Sequence, residues 1–185
     1  MNPDGPLIEW DHFLQIFEKD CLKPMHLRVC PKITMSHLEL NNSSKMRVRL
    51  AAQIFSNSMV RALTSYQKEF KDKNFTATIE FCRWMNNLFD ALNENCVSLK
   101  PGDDNFKLIE KSIKTLDFWE AKIGQPNGIK ESSFLTRNTA EGLRVTLRST
   151  LDVKVDVYEC RNTGVLTGKI NQALKFFSFP KLWKC

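Results

Sequence analysis

Glycine and proline are scarce in this sequence, seven of each in 185 residues. That is too few for an all-β sandwich or barrel, in which turns recur every ~8–12 residues. No apolar run approaches the ~18 residues that a membrane-spanning helix needs. The N-terminal stretch MNPDGPLIEW has neither the basic start nor the apolar core of a secretory signal, so membrane insertion and secretion are not expected. Histidine is limited to His12, His26 and His37. With no nucleophile or acid at a telling spacing, no catalytic or metal role is expected of them. The six cysteines, Cys21, Cys30, Cys82, Cys96, Cys160 and Cys185, form no Cys-x-x-Cys pair and have no accompanying histidine pair, which argues against a structural zinc site. Without a secretory signal they read as reduced thiols. Phosphate-loop, dinucleotide, serine-elbow and zinc-protease signatures are missing as well.

What is present is the composition of a folded domain, 42% hydrophobic and 26% charged, in a chain of one-domain length. Lysine and arginine outnumber aspartate and glutamate by 27 to 21, a formal charge of +6. Such an excess fits a phosphate-bearing partner, and it fits an ordinary basic protein as well.

Periodicity points to a mainly α fold, a single helical domain of about five to six helices. Trp10, Phe13, Leu14 and Phe17 share one face of a first helix, which Leu22-Lys23-Pro24 should end, since proline disfavours helix in the residue before it. Residues 24–44 look irregular, and Asn41-Asn42-Ser43-Ser44 offer cap side chains for the next helix. That second helix is expected over 45–70, with Val48, Ala52, Phe55, Met59, Ala62 and Leu63 inward and Lys45, Arg47, Arg49 and Arg61 at its edge or outside. A third, at 75–95, carries Ile79, Cys82, Met85, Phe89 and Leu92 on its stripe. Pro101-Gly102-Asp103-Asp104 is turn chemistry, and a fourth helix follows with Phe106, Ile109, Ile113 and Leu116 inward. After the loop Gly124–Gly128, Asn138 or Thr139 can cap a fifth helix over 140–152, where Gly142 weakens the first turn. Val153, Val155 and Val157 alternate with charged residues, the pattern of a short strand.

Two groups of side chains carry recognisable chemistry. Lys45, Arg47 and Arg49, near a helix start, could hold phosphate, or they could be a solvated edge. Asp90 and Asn93, three residues apart on the third helix, could present a carboxylate and an amide to one ligand, or simply form an exposed face.

Four segments in order settle more than composition does. They are Lys45-Met46-Arg47-Val48-Arg49-Leu50-Ala51-Ala52-Gln53 with Phe55-Ser56; Trp84–Asn93, containing Phe89-Asp90-Ala91-Leu92-Asn93; Phe134-Leu135-Thr136 with Thr139–Thr150; and Leu166-Thr167-Gly168-Lys169-Ile170-Asn171-Gln172. Together with Trp10 and Cys30–Thr34 they resemble the transposases of the P-element class, including their THAP-type relatives in animals. The resemblance covers residues 8–177 and leaves 178–185 as a divergent tail.

The resemblance implies a helical insertion that interrupts an RNase H-like catalytic fold and binds GTP as a cofactor for assembling transposase on DNA. It assigns Arg47 and Val48 to the nucleotide, with Lys45 a nearby phosphate candidate, and Asp90 and Asn93 to the guanine. Magnesium is a candidate companion of the nucleotide. A carboxylate can accept both N1–H and N2–H of guanine, which adenine cannot offer. In the basic run Lys45–Arg49 an arginine stands where the family more often has lysine, which changes the shape of the contact made there.

The same resemblance implies no catalysis here. DNA cleavage in that class needs two aspartates and a glutamate holding two metal ions. The aspartates are expected upstream of this chain's start. The glutamate is expected in the motif asparagine-glutamine-aspartate-x-leucine-glutamate, where this chain reads Asn171-Gln172-Ala173-Leu174-Lys175-Phe176-Phe177. The expectation is therefore an isolated insertion-domain fragment in the nucleus, without nuclease chemistry. Its partners would be a guanine nucleotide and, as candidates, transposase subunits and transposon DNA. The alternatives are a protein- or DNA-interaction fragment acting as a passive transposase inhibitor, or a remnant without function.

Overall fold

The computed structural model describes residues 8–39, 47–70, 74–93, 102–123, 135 and 137–161. It is mainly helical, as the periodicity predicts. Helix α1 spans Asp11–Cys21, and a single 3-10 turn comes next at Met25–Leu27. Then come the short α2 (Met35–Leu38), α3 (Val48–Ile54), α4 (Asn57–Gln67), α5 (Thr76–Leu92), α6 (Asp104–Ala121) and α7 (Arg137–Arg161). Among the described residues, no helix is long and apolar enough to cross a membrane. The backbone groups into two compact units, and the division falls inside α5, between Asn86 and Asn87.

The core of the first unit is aromatic. Phe13 of α1 meets Phe55 edge-on at 6.0 Å between ring centres, and Phe55 meets Phe81 of α5 edge-on at 5.4 Å. These are the offsets that ring quadrupoles favour. Ile16, Ile54, Met59, Leu63, Tyr66 and Phe75 are buried around them. The buried face of α1 is not the predicted stripe. His12, Phe13, Ile16 and Asp20 are inside, whereas Trp10, Leu14 and Phe17 are half-buried. Polar residues take inward positions there because each finds a partner. Nδ1 of His12 lies 2.7 Å from the buried Thr78 hydroxyl, and its ring packs on Phe75 at 4.6 Å.

The single helix expected over 45–70 is two helices. Phe55 leaves helical geometry at φ −90° and ψ 41°, and Ser56 restarts the chain by accepting from the Met59 N–H at 3.4 Å. A serine at an N-cap satisfies one of the otherwise orphaned amides of the new helix. The break lets Phe55 enter the core sideways while Met59, Ala62 and Leu63 stay buried. Arg47, Arg49 and Arg61 are exposed as predicted. Residues 24–44, expected to be irregular, contain the 3-10 turn and α2. Thr34 and His37 make a reciprocal cap for α2, with the Thr34 N–H donating to His37 Nδ1 at 3.1 Å. The cap side chains expected at 41–44 lie outside the described residues.

In the second unit, α6 packs on α7. Phe106, Ile109, Leu116 and Trp119 are buried on α6, with Ile113 half-buried. Ala140, Leu143 and Leu147 are buried on α7. Gly102, at φ +96°, makes the turn into α6 in a conformation that side chains with a Cβ avoid. Two expectations for α7 are corrected. The helix opens at Arg137, so Asn138 and Thr139 sit in its first turn instead of capping it. The strand pattern at 153–157 is helical too, because α7 continues unbroken to Arg161. Extending an existing helix costs far less than nucleating a new element, and no glycine or proline interrupts the chain between Gly142 and Arg161. The loop at 124–128 and the segment 162–185 lie outside the described residues.

Candidate functional site

Asp90 and Asn93 both lie at the C-terminal end of α5. Asp90 is exposed in the last turn of α5, and Asn93 comes directly after the final helical residue, Leu92. The Asn93 N–H still donates to the Phe89 carbonyl at 3.0 Å, so the helical path carries through it and both side chains leave the same end of α5. The Asn93 amide nitrogen also donates to the Phe89 carbonyl, at 2.7 Å. This bond caps the helix and fixes the amide's orientation. It uses one of the two donors of the amide nitrogen. Electrostatically the end is partly negative, since the last carbonyls of a helix sum to roughly half a negative charge. A carboxylate and an oriented amide at the negative end of a helix suit a ligand edge rich in N–H donors.

Arg47 is the N-cap residue of α3 and is exposed, and Val48 is its first helical residue. The Arg47 carbonyl accepts from the Leu50 N–H at 3.0 Å, which fixes the backbone from which the guanidinium projects. Arg49 is exposed as well. Lys45 and the side chain of Val48 lie outside the described residues. Arg47 belongs to the first unit; Asp90 and Asn93 belong to the second.

The residues that hold α3 in place were not legible in the motif. Gln53, its penultimate residue, has Oε1 2.8 Å from Nε2 of the buried His37. Because Nδ1 of His37 accepts from the Thr34 amide, Nε2 carries the proton and donates to Gln53. The same imidazole thus caps α2 and ties it to α3. The signal was available as a Thr-x-x-His spacing, a variant of the threonine-to-glutamate capping box.

Comparison with known proteins decides the family. Residues 1–102 match the family described as TNP-like, GTP-binding insertion domain. The chain belongs to that family. This GTP-binding insertion-domain match contains the Lys45–Ser56 and Trp84–Asn93 segments and ends before the segments at 134–150 and 166–172. A similar relative is the Transposable element P transposase of Drosophila melanogaster, 31% identical over 77 residues, which are 38% of this chain and 10% of the relative. The insertion-domain chain therefore aligns with about a tenth of the length of that relative. No solved structure matches it.

Proposed function

We propose that this domain binds GTP, with selectivity for the guanine base, as an assembly cofactor of a P-element-type transposase. The observation that carries the reading is the placement of the exposed Asp90 carboxylate and the oriented Asn93 amide at the same end of α5, inside the family-matched residues. Asp90 accepts guanine N1–H and N2–H together, and Asn93 supplies a further polar contact to the base. The family resemblance assigns phosphate contacts to Arg47, with Lys45, and an apolar contact with the nucleotide to Val48. An arginine suits that role because its planar fork can donate two parallel hydrogen bonds to one phosphate.

Magnesium, where it accompanies GTP, would supply positive charge that offsets the phosphates. Among the described residues, no three His, Cys, Asp or Glu side chains converge on a metal position. The domain's part is binding, in the nucleus, beside transposase subunits and transposon DNA. Strand cleavage belongs to an acidic triad elsewhere in such a transposase.

The test is nucleotide binding by the Asp90→Ala variant. Loss of one bidentate base contact, worth ~1–3 kcal/mol, should weaken GTP roughly tenfold to a hundredfold. ATP affinity should stay unchanged. An unaltered GTP affinity would remove Asp90 from the site and the proposal with it.

A further inference from the structure

The chain between α1 and α2 presents apolar side chains to solvent from a braced loop. Leu22, Met25 and Leu27 are 83%, 69% and 59% exposed. Their backbone is pinned from both sides. The buried Asp20 carboxylate accepts from the Val29 and Cys30 amides, each at 2.9 Å. Arg28 reaches back across the loop, with Nε donating to the Lys23 carbonyl at 3.0 Å and Nη2 to the Cys21 carbonyl at 3.1 Å. Inside this frame the Leu27 N–H donates to the Pro24 carbonyl at 2.8 Å. A loop held by a buried carboxylate and a guanidinium has already lost much of its conformational freedom, so a partner that binds it meets a smaller ordering cost.

Along the loop's own sequence the formal charge has one sign, with Glu69, in the turn after α4, a carboxylate that acts on Lys23. From Cys21 to Leu38 the sequence contains no aspartate or glutamate, and it contains Lys23, Arg28 and Lys32. His26 and Lys32 are exposed, and Lys23 lies with Nζ 4.5 Å from the centre of the Tyr66 ring. The nearest carboxylate before the loop, Asp20, is 2% exposed and faces inward onto its donors.

We propose that the Leu22–Leu27 loop is a protein-docking surface whose partner offers apolar side chains flanked by carboxylates. The apolar residues argue for protein over nucleic acid, because leucine and methionine gain little against phosphates, whereas methionine is enriched at protein interfaces. Cations around an apolar centre select for acidic residues in the partner's rim and against basic ones. The family supplies the setting. The aligned region is 10% of the Drosophila relative, so a domain of this kind has the remainder of a long polypeptide for a neighbour. The surface is independent of the residues assigned to GTP.

The test pans a random displayed peptide library against the full chain, with counter-selection on a Leu22→Ser, Met25→Ser, Leu27→Ser variant shown by circular dichroism to be folded. The expected winners combine Leu, Met, Phe or Trp with Asp or Glu. Synthesised, they should bind the parent chain at least tenfold more tightly than the variant, weaken with salt, and leave GTP affinity unaltered. No enrichment, or winners that are basic or bind the variant equally, would overturn the proposal. Co-sedimentation with phosphatidylserine vesicles, lost in the variant, would overturn it too and assign the loop to a membrane surface; retention of duplex DNA, lost in the variant, would overturn it in favour of nucleic acid.

Discussion

The Tyr66 hydroxyl donates to the Asp20 carboxylate across 2.7 Å, joining α4 to the last turn of α1 with both groups buried. Two backbone amides complete the acceptor shell of the same carboxylate. Burial alone would raise the pKa of Asp20; the Tyr66 hydroxyl, the Val29 and Cys30 amides and the Lys23 ammonium outweigh it and hold the carboxyl below its ordinary value. A depressed folded value means that the ionised form stabilises the fold. Its contribution is complete above the unfolded carboxylate range of ~4 and is lost as pH falls through the folded value.

Asp20→Asn is therefore expected to destabilise the domain by ~1–3 kcal/mol at neutral pH, since an amide turns one acceptor into a donor facing another donor. Urea denaturation across an acid series checks both parts. The parent chain should lose stability on the acid side more steeply than the variant. Parallel curves would show that Asp20 is not a source of the dependence.

Arg144 plays the comparable role in the second unit. It is 5% exposed on α7 and meets Asp117 at 2.7 Å, Glu120 at 2.5 Å and the Leu116 carbonyl at 3.2 Å on α6, with Glu141 of its own helix at 3.4 Å. The carboxylates are about half exposed, so they can rehydrate when the guanidinium is removed. Arg144→Ala should cost ~2 kcal/mol, below the ~3–5 of a fully buried broken pair. Arg144→Lys should recover only part of this, because one ammonium cannot reproduce the fork. Thermal melts of the parent and both variants check the order.

The thiols should divide by burial. Burial first, and the Asp20 charge second, push the Cys30 thiol up to about 12, and burial pushes Cys82 higher still. The thiolate is the reactive form. Iodoacetamide at mildly alkaline pH should leave Cys30 and Cys82 unmodified in the native protein and label both after unfolding. Cys21, which is half-buried, should react earlier than either. Peptide mass mapping reads the order, and native labelling of Cys82 ahead of Cys21 would contradict the packing of α5.

Much of the fold was legible from apolar spacing because most of these helices are amphipathic. Helices α5 and α6 lie close to their predicted positions, and Cys82 is buried on the expected face. What periodicity missed was polar. The inward turn of His12 and Asp20 depends on Thr78 and Tyr66, which are 66 and 46 residues away, and no local pattern announces such partners. The break at Phe55-Ser56 was hidden because its apolar stripe continues straight across it, leaving only a serine in cap position as a sign. The pattern Val153–Val157 misled because local alternation carries no sign of the helix already running into it. At the candidate site, spacing put Asp90 and Asn93 at one end of α5. The family resemblance, not spacing, gave that pair a ligand.

Asp90→Asn provides a specificity test. Its amide can donate where the carboxylate only accepted, so it should disfavour guanine and favour xanthine, whose C2 carbonyl replaces the guanine amine. Competition binding should show GTP affinity falling by roughly tenfold or more while XTP affinity rises, in line with the ~1–3 kcal/mol of a bidentate base contact. Equal losses for both nucleotides would point to a structural role for Asp90.

The most direct measurement is a calorimetric titration of the full chain with GTP and with ATP, each with and without magnesium. Saturable GTP binding with ATP at least tenfold weaker is the predicted result. Equal affinity for the two nucleotides, or no binding by chain shown to be folded, would contradict guanine recognition as the function of this domain.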